Sequence, residues 1–211
     1  MPSYNERAWA IDVISEINRL ALEQRRAIRR ASGERTILRA GATALFPDVL
    51  LYGDTETGRL LQGWELKFPD TDINDAELVR NAAIKAEVLG LETFVLWNVT
   101  VAVMYGRTSD DTFELKHRWP STTIRTRESV AEADEEWKAL LHSIIGDLNG
   151  WFERGELRSV DLPSALDENA AVRACLGTGA AAGAALIEPE QVGARARGHR
   201  ARDLGELDGR D

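Results

Sequence analysis

Residues 46–68, FPDVLLYGDTETGRLLQGWELKF, constrain the possible fold more than any other segment of the chain. Two apolar runs flank a polar turn at residues 54–58, DTETG. Apolar runs separated by a turn of this kind predict two antiparallel strands joined as a hairpin.

Three charged residues occupy strand positions in this hairpin: Asp48, Glu65 and Lys67. An antiparallel pairing about the turn puts Asp48 opposite residue 64 or 65, allowing for one bulge. Side chains alternate between the two faces of a strand, so Glu65 and Lys67 share one face. The apolar residues of the same strand point the other way, toward a core: Trp64, Leu66 and Phe68.

Two carboxylates on opposed strand positions have Cβ atoms roughly 5 Å apart and repel each other. A divalent cation between them reverses the sign of that interaction, because hard cations such as Mg²⁺ bind oxygen ligands. A metal ion with a lysine beside it suits phosphodiester hydrolysis, since the ammonium can orient a water or stabilise developing charge. The alternative is that the three charges decorate a solvated face of the hairpin.

The rest of the chain predicts an α/β fold in which a mixed central sheet is flanked by helices, with αβββαβ as the order of the core. Apolar spacings of three and four predict the first helix. The predicted elements are a helix over residues 5–31 stopped by Gly33, a strand at 35–38, the hairpin, a helix from Asn74 to about Leu89, strands in ETFVLWN, VTVAVMYG and TFELKHRW, and a helix from Ser129 to near Gly155.

Composition limits the class of protein. The 211 residues carry a formal net charge of −9, which argues against a protein that coats nucleic acid non-specifically. Cys175 is the only cysteine, which excludes an internal disulfide and suits the cytoplasm. No apolar run approaches the roughly 20 residues of a membrane span, and we expect no signal peptide and no membrane partner.

Domain organisation follows from a change of composition near the C-terminus. We expect residues 1–160 to form the domain, and residues 161–211 to form a linker and a disordered tail rich in Ala, Gly and Arg. The same tail also suits a fragment of a larger protein.

The residues Pro47-Asp48 and Glu65-Leu66-Lys67 resemble the PD-(D/E)XK motif of a nuclease superfamily whose core has the element order predicted above. The resemblance covers about residues 5–105. Within that superfamily, NERAWAIDVISEIN, LLQGWELKFPDT and FVLWNVTVAVMY are most similar to nuclease portions of restriction-modification enzymes, including those fused to an adenine methyltransferase.

The resemblance implies roles for individual residues. Asp48 and Glu65 would hold Mg²⁺, for which Mn²⁺ can substitute, with the Leu66 carbonyl as a further ligand. Lys67 would be the catalytic lysine. A glutamate of the first helix would join the metal, and both Glu6 and Glu16 qualify; Glu6 is favoured, although it can also cap the helix.

Basic residues elsewhere are candidates for contact with DNA. Arg25, Arg26 and Arg29 are predicted at the C-terminus of the first helix, where the helix dipole also favours cations. Lys85 and Asn81 share one face of the second helix, where related nucleases often carry a polar residue that faces the site; a solvated helix face is favoured for both.

The expected function is that of a Mg²⁺-dependent deoxyribonuclease in restriction or phage defence. Two alternatives stay open: a structure-specific repair or recombination nuclease, and a non-catalytic DNA-binding remnant of a larger restriction-modification protein. The expected partners are DNA and either a methyltransferase or specificity subunit or a second copy of the chain. The preference for DNA over RNA comes from the resemblance alone.

Overall fold

One open sheet with helices on both faces forms the centre of the computed structural model, which describes residues 4–33, 47–54 and 59–161. Its helices are α1 (Glu6–Gln24), α2 (Ala76–Val88), α3 (Arg127–Glu132) and α4 (Asp134–Glu153). Its strands are β1 (Arg30–Gly33), β2 (Val49–Tyr52), β3 (Arg59–Leu66), β4 (Thr93–Trp97), β5 (Ala102–Arg107), β6 (Phe113–Arg118) and β7 (Val160–Asp161). The strand predicted at residues 35–38 and the tail beyond Asp161 lie outside the described residues.

The strands follow each other across the sheet in chain order from β1 to β6, and β7 pairs with β3. All pairings are antiparallel except that of β3 with β4. Two parallel neighbours need a crossover connection, which α2 provides between them. The prediction of a mixed sheet flanked by helices is confirmed.

The core lies on both faces of the sheet. One cluster of buried side chains joins α1 and α4 to the sheet, and the other joins α2 to its opposite face. Four tryptophans pack edge to face in the first cluster, with ring centroids 4.9 to 6.4 Å apart: Trp9, Trp64, Trp97 and Trp137. Burial of each ring contributes about 2–3 kcal/mol, so this cluster anchors α1 and α4 against the strands.

The first helix is shorter than predicted. It ends at Gln24, and Arg25 adopts a left-handed conformation (φ 52°) while its N–H bonds to the Ala21 carbonyl. The side chain of Asn18 then bonds to both the N–H and the carbonyl of Ala31, which docks β1 beside the helix. The prediction of a helix to Ala31 stopped by Gly33 is wrong, because tertiary contacts place both residues in a strand.

Two other helix boundaries also differ from prediction. The N-cap of α2 is Asp75 rather than Asn74, since its carboxylate accepts the N–H groups of Glu77 and Leu78. The single final helix is instead two helices separated at Ala133. Among the described residues, no helix is both long enough and apolar enough to cross a membrane.

Candidate active site

The hairpin register brings the two predicted carboxylates together. Val49 pairs with Trp64, so continuing the register by one residue places Asp48 beside Glu65, as predicted. The Leu66 N–H donates to Asp48 Oδ2 at 2.7 Å, which fixes the Asp48 carboxylate against the end of β3. The strands approach this closely because residue 63 is glycine: a Cβ there would lie 2.7 Å from the Pro47 ring.

Lys67 lies at the centre of the cluster. Its Nζ is 3.1 Å from Glu65 Oε1 and 3.8 Å from Asp48 Oδ2, and it donates to the Leu66 carbonyl at 3.0 Å. The side chains of Glu65 and Lys67 share one face of the strand, as the alternation predicts, while Trp64 faces the core with no exposed surface. The three residues named by the motif therefore meet in space.

The first helix supplies Glu6 to this cluster. Glu6 Oε1 accepts the Phe68 N–H at 3.0 Å, and Glu6 Oε2 is 4.0 Å from Lys67 Nζ. The N-cap of α1 is Asn5, whose side chain accepts the Ala8 N–H, so the Glu6 carboxylate is free for the cluster. The structure places Glu6 at the site.

The other candidate glutamate, Glu16, does not reach the cluster. It lies roughly 15 Å along α1 from Glu6, at 1.5 Å per residue. There it pairs with Arg19 at 2.6 Å and with His142 Nε2 at 2.5 Å. Hydrogen bonding from Arg19 lowers the pKa of Glu16 to about 2. Its contacts indicate a structural role, with an ion pair to Arg19 within α1 and a hydrogen bond to His142 of α4.

Lys85 is part of the cluster too, although the sequence favoured a solvated helix face for it, with a DNA contact as the alternative. From α2 its Nζ reaches Glu65 Oε2 at 2.6 Å, and the two side chains are 15% and 11% exposed. Asn81, on the same helix, is exposed to solvent. No sequence signal distinguished the two, because the contact depends on how α2 folds back over β3.

Burial and charge perturb the acid–base properties of the cluster. Burial, followed by repulsion from Glu65, raises the pKa of Asp48 to about 6, against the opposing effects of the Leu66 N–H and the two lysines. Burial alone would lower the pKa of Lys67, but the carboxylates of Glu65 and Asp48 outweigh it and raise that pKa. Lys67 is therefore an ammonium ion at neutral pH.

The donor chemistry of the cluster fits the divalent metal that the resemblance implies. Carboxylate oxygens and the Leu66 carbonyl are the ligands that Mg²⁺ prefers, and Asp48 Oδ1 accepts no hydrogen bond from the described residues. Across residues 4–33, 47–54 and 59–161, however, no group of three His, Cys, Asp or Glu side chains stands ready to hold a metal ion. The ammonium groups of Lys67 and Lys85 each donate to one of the two oxygens of Glu65 in this arrangement.

The predicted DNA-binding arginines lie away from the cluster. Arg25 caps the far end of α1, roughly 28 Å along the helix axis from Glu6. Arg26 is paired with Glu153 at 2.6 Å, and Arg29 lies beyond the helix rather than in its last turn. The structure thus does not bring this basic patch to the site.

Two other arginines, which the sequence did not single out, lie closer. Arg127 of α3 forms a two-pronged ion pair with Asp70 and lies 5.5 Å over the Phe68 ring, with its side chain 57% exposed. Arg7 lines an open groove of about 520 Å³ that also includes Glu6 and Asp48. Asp70 and Arg127 are 57 residues apart, so no local pattern in the sequence predicts that they pair.

Comparisons with known proteins yield no relative: no protein-family model, no curated protein and no solved structure matches the chain. Evidence for function therefore comes from the Asp48, Glu65 and Lys67 cluster and its surroundings.

Proposed function

We propose that the chain is a divalent-metal-dependent endonuclease of the PD-(D/E)XK type that hydrolyses DNA phosphodiester bonds in the cytoplasm, in restriction or phage defence. The observation that carries the proposal is the meeting of Asp48, Glu65 and Lys67 at one end of a hairpin. Three charged groups there are partly removed from water, at a cost that a purely structural hairpin has no reason to bear.

The element order gives further support. From α1 to β4 the chain runs helix, three strands, helix, strand. Asp48 immediately precedes the second strand, Glu65 lies at the end of the third, and Lys67 follows it. This order is the one expected of a restriction-endonuclease-like core. The first helix also delivers a glutamate, Glu6, to the motif residues.

The proposal divides the residues of the cluster between two roles, metal ligand and positive charge beside the phosphate. Asp48, Glu65 and Glu6 would hold the metal, together with the Leu66 carbonyl. A bound Mg²⁺ or Mn²⁺ ion polarises a phosphate and lowers the pKa of a coordinated water. Lys67, kept protonated by its neighbours, places a positive charge where negative charge develops on the phosphate.

The test is cleavage of unmethylated phage and plasmid DNA by the purified chain with Mg²⁺, Mn²⁺ or EDTA. The Lys67→Ala variant should lose metal-dependent cleavage by at least about 100-fold, as expected when a charge that stabilises the transition state is removed. Lys138→Ala is the matched control, because this lysine also pairs with a carboxylate, Asp134, but on α4. Equal cleavage by wild type and Lys67→Ala would refute the proposal.

The substrates decide between kinds of nuclease. Discrete fragments from linear duplex DNA would support restriction by a chain that reads the sequence itself. Metal binding without cleavage would support a restriction nuclease whose target choice is supplied by a methyltransferase or specificity subunit. Preference for a branched junction over linear duplex would support a structure-specific nuclease working as a homodimer. DNA binding without cleavage, and without metal binding, would leave a non-catalytic DNA-binding module.

A further inference from the structure

The carboxylate of Glu65 is shared between two lysines that come from different elements. Lys67 lies just past the end of β3 and donates to Oε1 at 3.1 Å, whereas Lys85 donates to Oε2 from α2 at 2.6 Å. Lys67 is 25% exposed and Lys85 15%. The shorter contact is thus made by the more buried lysine, which is not part of the motif.

Surrounding side chains hold Lys85 in this position. The space between α2 and the hairpin has a volume of only about 10 Å³ and is lined by Pro47, Gly63, Trp64 and Ala82 among others. A cavity of that size holds at most about one water molecule. The ammonium of Lys85 therefore has little room to retreat from Glu65 toward the interior.

The end of α2 does not by itself explain the contact. A cation in the last turn of a helix is favoured by the helix dipole. The Lys85 ammonium, however, donates to Glu65 across the gap to β3. The contact adds a second positive charge to a cluster in which Lys67 lies within 4.0 Å of the carboxylates of Glu6, Asp48 and Glu65.

We propose that Lys85 is a resident counter-cation that competes with the divalent metal for Glu65 and so sets the metal concentration at which the site fills. This inference rests on the proposed nuclease function. A metal bound to Glu65 lies close to the Lys85 ammonium, and the two positive charges repel. The site therefore binds metal more weakly than the same carboxylates would without Lys85.

The test measures Mn²⁺ binding by isothermal titration calorimetry and needs no cleavage. Lys85→Met keeps most of the side-chain length and removes the charge, and Lys85→Gln serves as a second variant if the first does not fold by circular dichroism. We expect the Kd for Mn²⁺ to fall by at least about fivefold, since two unit charges 4 Å apart in water already change a binding constant by about that factor and Mn²⁺ carries two charges. Lys138→Met, which removes a lysine paired with Asp134 on α4, should leave the Kd unchanged.

An unchanged or higher Kd in folded Lys85 variants would overturn the inference, while Mn²⁺ binding by the wild type would leave the proposed function standing. An equal fall of the Kd in Lys138→Met would also overturn it, because the effect would then reflect net charge rather than contact with Glu65. If wild type binds no Mn²⁺, both the inference and the proposed metal site are wrong.

Discussion

Replacing Asp48 with asparagine should make the metal-free protein more stable at neutral to alkaline pH, even though it should remove a metal ligand. Burial and repulsion from Glu65 raise the pKa of Asp48 from 3.8 to about 6. The folded protein therefore holds this proton more tightly than the unfolded chain does. Ionisation of Asp48 costs stability above about pH 6, and the cost disappears below about pH 4.

The size of the effect follows from the same values. A rise from 3.8 to about 6 corresponds to about 3 kcal/mol, at 1.36 kcal/mol for each pKa unit. The Asp48 side chain is 35% exposed, so solvent screening reduces the cost, and we expect about 1–2 kcal/mol. Asparagine is neutral at every pH, and its amide oxygen can still accept the Leu66 N–H. Asp48→Asn should gain that free energy of unfolding at about pH 8 and almost none at about pH 4.

The assay is urea denaturation followed by tryptophan fluorescence at both pH values, with EDTA present. Asp110→Asn is the control, because Asp110 is an exposed residue in the turn between β5 and β6. Added Mg²⁺ should make the wild type more stable than Asp48→Asn, since a ligand at 100 times its Kd stabilises the protein that binds it by about 2.7 kcal/mol. An Asp48→Asn variant that is less stable than wild type at about pH 8 without metal would refute the reasoning.

The remaining predictions concern the two candidate glutamates and a buried amide. Glu6→Gln should weaken Mn²⁺ binding by at least about tenfold in calorimetry, whereas Glu16→Gln should not change it; equal effects would contradict the placement of Glu6 at the site. Because hydrogen bonds from Arg19 hold the pKa of Glu16 at about 2, Glu16→Gln should lower the free energy of unfolding at neutral pH. The expected loss is about 1 kcal/mol, because the Arg19 side chain is 48% exposed and solvent screens the pair. That difference should shrink as the pH falls from 4.5 toward about 2, and a pH-independent difference would contradict the assignment. Asn149→Ala should cost about 1–3 kcal/mol in urea denaturation, because Asn149 Oδ1 accepts the buried Ile28 N–H; a cost near zero would contradict it.

The parts of the site that could be predicted are those that local pairing decides. Asp48 and Glu65 are 17 residues apart in the sequence and meet because a hairpin pairs residues about its turn. Glu65 and Lys67 share a face because side chains on a strand alternate with a period of two. The apolar stripe of α1 was predictable for a similar reason, since its burial follows the helical period.

Other features depended on contacts between distant segments. The end of α1 could not be read from the chain, because an arginine rather than a glycine takes the left-handed cap. Beyond it, the Ile28 N–H bonds to Asn149, which lies 121 residues away. In the sequence, Lys85 has the features of a lysine on a solvated helix face. It contacts Glu65 because the crossover between the parallel strands β3 and β4 packs α2 against the hairpin.

By itself, the sequence determined which side chains share a face of each strand and which two strands pair as a hairpin. Those two facts together place two carboxylates and a lysine at the end of the hairpin. The tertiary structure decided that Glu6 and not Glu16 joins them, that Lys85 occupies the second oxygen of Glu65, and that the basic patch near Arg25 lies elsewhere. The physical reason is the range of the interactions involved. Strand alternation and hairpin register follow from bonded neighbours and one turn, whereas the position of a helix over a sheet is set by the packing of a whole core.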